Sequence, residues 1–231
     1  MTGAGRDFSR ELYPFLYEDH LVDSGGLTAV LDAVRESTLQ KCQDVMDLRR
    51  QLCQEYRERL VATALAMANA FAGGHKLLAF GNGGSATDAQ DAAADCMLPP
   101  FDRWRPLPAF ALTNDVAVVT AVANDVGFEN VFLRQVIAFG EPGDIALGFS
   151  TSGNSPNVLT ALTGARRRGL LTVALAGNDG GVMAQSPDVE FCFIARTEHL
   201  PRIQEGQATV WHTLLELVQE VLAGKRRKDV P

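Results

Sequence analysis

With 231 residues, 46% of them hydrophobic, the chain can enclose one sizeable α/β core and is barely long enough for two. A formal net charge of -7 and a pI near 5.1 argue against a general nucleic-acid binder, which needs a basic face to neutralise phosphates. The N-terminus lacks an apolar signal core, no run of 18 apolar residues is free of charge, and the cysteines at 42, 53, 96 and 192 have no C-x-x-C spacing, so a soluble, cytoplasmic protein without disulfides or membrane contact is expected.

Residues 1–26 read as an arm in which Tyr13, Phe15 and Tyr17 interleave with charges, Pro14 interrupts any helix and Ser24-Gly25-Gly26 closes the stretch. Such an arm suits packing on another surface, such as a second subunit. From Leu27 to Gln54 apolar residues recur at helical spacing, and 56–72 form a second, more apolar helix stopped by Gly73-Gly74. Two N-terminal helices are thus predicted, and the apolar stripe on the first points to oligomerisation.

Leu77–Phe80 is a buried strand that runs into Gly81-Asn82-Gly83-Gly84-Ser85 and then a helix ending at Met97, before Pro99-Pro100. Strands follow at 109–112, 144–149, 170–176 and 189–194, with helical stretches at 113–123, 128–137, 156–168 and 202–223, the last ending at Gly224. Alternation of strands and helices, with connections too long for hairpins, predicts a parallel sheet covered on both faces. The terminal Lys225-Arg226-Arg227-Lys228 reads as a solvated helix end rather than a DNA contact.

Two strand ends share one design. Gly81–Ser85 turns a strand into a helix N-terminus, and Ser150-Thr151-Ser152-Gly153-Asn154-Ser155 does the same before the helix at 156. Helix N-termini offer free N–H groups and a positive dipole end, and ligands of open parallel sheets lie beyond the carboxyl ends of the strands. On neighbouring strands, the two loops would close on one anion.

GNGGS, ALTNDVAVVTAVANDVGFENVF, GDIALGFSTSGNSPNV, VALAGNDGG and RIQE, in that order, resemble the sugar isomerase (SIS) domain and, within it, the sedoheptulose 7-phosphate isomerase (phosphoheptose isomerase) group. The likeness covers about 28–223, giving an arm at 1–26, a SIS domain at 27–224 and a basic tail at 225–231. It implies a three-layer α/β sandwich, a five-stranded parallel sheet in a flavodoxin-like layout, assembled as a homotetramer with sites between subunits. It also implies a phosphate on Ser150, Thr151, Ser152, Ser155 and Ser85 of the Gly83-Gly84-Ser85 turn, with Asn82 and Asp115 bonding sugar hydroxyls. Asp115 reads equally well as a helix N-cap.

Aldose–ketose isomerisation through an enediol needs a base at the carbon and an acid at the carbonyl oxygen. The resemblance implies a glutamate on the helix after GNGGS, a histidine on the last helix, and a divalent metal, often zinc, among histidine, glutamate, glutamine and histidine. Gln204 and His212 match, whereas Asp91 and Asp95 stand where the pattern has histidine and glutamate. Four apart, these two aspartates share a helix face; with Gln204 and His212 they form a harder donor set that favours manganese, magnesium or iron over zinc. Asp95 and His212 are then the candidate catalytic pair. Alternatively, Asp91 and Asp95 form a solvated face and His212 is a core histidine beside Trp211, Leu214, Leu215 and Leu217. The functions implied are an isomerase of sedoheptulose 7-phosphate or, should the aspartates have ended catalysis, a phosphosugar-binding protein like the family members that associate with the replication initiator.

Overall fold

The computed structural model describes residues 26–228, with side chains over 30–224, so the aromatic arm lies outside the described residues apart from Gly26. The chain divides into two compact units, Met1–Gln43 and Asp44–Pro231. Helix α1 (Gly26–Ala72) is continuous over 47 residues, which corrects the expectation of two helices. The segment Gln51–Leu60 contains no glycine or proline, so nothing in it breaks the hydrogen-bond ladder.

After α1 come β1 (Leu77–Phe80), α2 (Gly84–Met97), β2 (Ala109–Ala111), α3 (Val116–Asp125), α4 (Val131–Phe139), β3 (Ile145–Ser150), α5 (Pro156–Arg167), β4 (Leu171–Gly177), β5 (Phe191–Ala195) and α6 (Leu200–Lys228). The stretch expected as one helix at 128–137 is a 3₁₀ turn, Phe128–Asn130, leading into α4. Helix α6 passes through Gly224 to Lys228. An interior glycine costs a helix only about 1 kcal/mol, which the packed turns before it outweigh.

All five strands are parallel, in the order β2-β1-β3-β4-β5. The alternating pleat divides their side chains between two cores. Leu77, Ala79, Ile145, Leu147, Phe149, Val173 and Leu175 face one layer, built from the second half of α1 together with α2 and α6. Leu78, Phe80, Ala146 and Ala174 face the other, built from α4 and α5 with the inner side of α3. The apolar strands are buried because helices cover both faces, as a parallel sheet requires.

Strands β1 and β3 are neighbours, pairing Phe80 with Gly148 at their carboxyl ends. The connections diverge from this point, β1 leading out to β2 and β3 to β4. This is the topological switch point of the sheet, where open α/β folds place their ligands. Both candidate loops open there.

Candidate functional site

The first loop is shaped by glycine. Gly83 caps α2 at φ 56 and ψ -123, a conformation that L side chains rarely adopt. Gly84 is closely approached from α6: a Cβ added there would overlap Nε2 of Gln204. Ser85 is buried in the first turn of α2. In the second loop Ser150, at the end of β3, is buried, and its Oγ lies 2.9 Å from Ser155 Oγ and 3.5 Å from Ser152 Oγ. Ser155 is the N-cap of α5, and Ser152 Oγ accepts the Asn154 N–H at 3.1 Å. Thr151 lies between them, partly buried.

The loops are joined side chain to side chain. Asn82 and Asn157 exchange amide hydrogen bonds, each Nδ2 donating to the other's Oδ1 at 2.8 Å. Asn82 keeps one N–H and one lone pair beyond this pair. Asn157 is not marked out by the sequence: its S-P-N-V setting reads as an ordinary helix start. Asp115 is the N-cap of α3, its Oδ1 accepting the Val118 N–H at 3.0 Å, so its capping role is present. It lines a largely apolar cleft of about 630 Å³ beside the edge strand β2.

The acid groups lie where α2 and α6 run alongside each other. Gln204 meets Gly84 at one end of this contact, near Asp88; His212 meets Asp95 at the other. His212 Nε2 is 3.6 Å from Asp95 Oδ2, and its side chain is 65% exposed, so it is not a core histidine. The Trp211 indole N–H donates to the same Asp95 oxygen at 3.0 Å. Asp91 is exposed, its charge close enough to act on Asp88.

Asp88 was not singled out by sequence, although it is three residues before Asp91 and seven before Asp95 and so shares their helix face. Burial and the charge of Asp91 push its carboxyl up to about 6, a rise partly opposed by the polar amide of Gln204. Its Oδ2 is buried without a hydrogen-bond partner among the described residues. Among the described residues no three His, Cys, Asp or Glu side chains already converge as a metal centre. The donors nevertheless suit a divalent cation: carboxylates, one amide oxygen and one imidazole, in a place where unpaired carboxylates repel.

The SIS domain family model matches residues 42–177. The chain is 43% identical over 191 residues to the phosphoheptose isomerase of Nitratidesulfovibrio vulgaris, covering 83% of this chain and 91% of the relative. It is 46% identical over 167 residues to that of Aquifex aeolicus, covering 72% and 86%. Among solved structures, the phosphoheptose isomerase of Neisseria gonorrhoeae superposes with a TM-score of 0.74 at 33% identity, covering 81% of this chain and 99% of the other. That of Francisella tularensis gives 0.67 at 32%, covering 79% and 98%.

Proposed function

Because this chain belongs to the SIS domain family and, within it, to the phosphoheptose isomerases, we propose that it interconverts sedoheptulose 7-phosphate and D-glycero-D-manno-heptose 7-phosphate through an enediol. The observation that carries the reading is the meeting of Asp95 and His212, 3.6 Å apart on two helices whose other ends flank the glycine turn. A carboxylate and an imidazole so placed supply a base and an acid to one substrate. Relatives named as isomerases at this identity favour the enzyme over the non-catalytic binding protein.

The phosphate is held by Ser85, Ser150, Thr151, Ser152 and Ser155 at the two helix N-termini, and Asn82 and Asp115 face the sugar. From the ketose, the Asp95 carboxylate takes a proton from C1 while His212 gives one to O2, producing the 1,2-enediol. Protonated Asp95 then returns its proton to C2, and the O1 proton goes to His212, which restores both groups. A divalent ion held by Asp91, Asp95, Gln204 and His212 would polarise the carbonyl oxygen as a Lewis acid. Like charge at half-buried Asp88 and exposed Asp91 supports a cation there. The functional assembly is a homotetramer and its setting the cytoplasm; among the described residues no helix is long and apolar enough to cross a membrane.

In heavy water, where the proton held on the partly exposed Asp95 exchanges with solvent, wild-type enzyme supplied with metal should place deuterium at C2 of the heptose product. Asp95→Asn and His212→Ala should each lower turnover by about 100-fold or more while phosphosugar affinity stays within about threefold, since the anchor lies elsewhere. Asp95→Glu should retain or raise the rate. Absence of C2 exchange in the wild type with any C7 or C6 phosphosugar would overturn the isomerase and leave the binding protein.

A further inference from the structure

We propose that Trp211 is a positioning residue, its indole N–H fixing one oxygen of Asp95 so that the other is the oxygen offered to the sugar; this rests on the reading of Asp95 as the base. An indole N–H only donates, and when buried it needs an acceptor. Trp211 is among the largest fully buried side chains of the protein, and its acceptor is Oδ2 of Asp95, at 3.0 Å. The other tryptophan, Trp104, has a buried Nε1 with no hydrogen-bond partner among the described residues, so the fold does not furnish acceptors automatically.

Asp95 needs the restraint. It is partly exposed, and the terminal torsion of an aspartate is broad, so an untethered carboxylate would sweep its oxygens through many directions. Here Oδ2 is claimed from two sides, by Trp211 at 3.0 Å and by His212 Nε2 at 3.6 Å. Oδ1 remains for the substrate. Trp211 and His212 are adjacent on α6, about 100° apart around the helix: the first points into the core and the second outward, and both address the same oxygen. The position of the carboxylate is thereby tied to one of the largest buried side chains in this layer, and misplacing a catalytic group by about 1 Å can cost roughly 100-fold in rate.

Trp211→Phe keeps the ring and removes the donor. It should lower kcat about tenfold with KM for sedoheptulose 7-phosphate changed less than about twofold. In an Asp95→Asn background the same substitution should cause no further loss. A purely structural tryptophan predicts the same loss in both backgrounds, and that result, or an unchanged kcat, overturns the proposal. A second measurement leaves residue 211 intact: with Trp104→Phe as background, Trp211 is the remaining indole of the two, and Asp95→Asn should shift its emission maximum and intensity. An emission indifferent to Asp95 overturns the contact even if Trp211→Phe does not fold. A wild type without turnover whose indole still responds to Asp95 refutes the isomerase; one with turnover whose kcat ignores the pair refutes this inference alone.

Discussion

Gly84 contributes to the site by having no side chain. It lets the amide of Gln204 lie against the start of α2, where the glycine turn and the acidic helix face meet. In Gly84→Ala the methyl would displace the end of a flexible side chain rather than backbone, so the fold should tolerate it. A melting temperature within a few degrees of wild type is expected, with kcat lowered about 10- to 100-fold because Gln204 is moved; thermal melts and steady-state kinetics check both. Asp91, Asp95, Gln204 and His212 were named beforehand because the resemblance puts metal and catalytic groups at those positions, helical spacing adding that the members of each pair share a face. Asn157 and Trp211 were not, since each acts through a partner 75 or 116 residues away in sequence, and no local pattern encodes such a meeting.

At the scale of elements, strand and helix order could be read because buried apolar runs end at glycine-rich turns, whereas the length of α1 could not. A change from mixed to more apolar composition near residue 55 looked like a boundary; it falls instead within the stretch over which the helix packs into the core, from Leu48 and Leu52 through Tyr56, Leu60, Ala64 and Met67. Tyr56 anchors this contact, its ring edge-on to Phe193 at 5.4 Å and its hydroxyl accepting the Ile194 N–H at 3.3 Å. Burial, then the neighbouring Glu55 carboxylate, push its phenol up to about 12. A phenol whose folded value is raised favours the fold while it stays protonated. Its contribution is therefore complete below the ordinary value of 10 and lost as pH climbs from 10 toward 12. Urea titrations across that window should show stability falling in the wild type and falling less steeply in Tyr56→Phe. The remaining slope belongs to the thiols of buried Cys96 and partly buried Cys192, pushed up to about 12 and about 11 chiefly by desolvation. Equal slopes in the two proteins would contradict this account.

For the molecule as a whole, the open question is how many chains make the enzyme. The parallel sheet and both its cores lie within residues 44–231, yet α1 begins 18 residues earlier, at Gly26. In that first part Val30, Leu31, Val34 and Leu39 are all more than half exposed. Four large apolar side chains on one helical segment are costly to leave in water, at roughly 25 cal/mol for each Å² of apolar surface, and isologous contacts between copies are the usual way to cover them. Light scattering at low micromolar concentration should therefore return about four times the chain mass of 24.9 kDa. Leu31→Glu combined with Val34→Glu should lower that mass. Because both residues are exposed, chain stability outside the assembly should change by no more than about 0.5 kcal/mol per site. If the site is completed between copies, turnover should fall with the measured mass and recover in part as protein concentration is raised. A wild type that scatters as a monomer, or a double variant that keeps its mass, would show that these side chains do not assemble the enzyme.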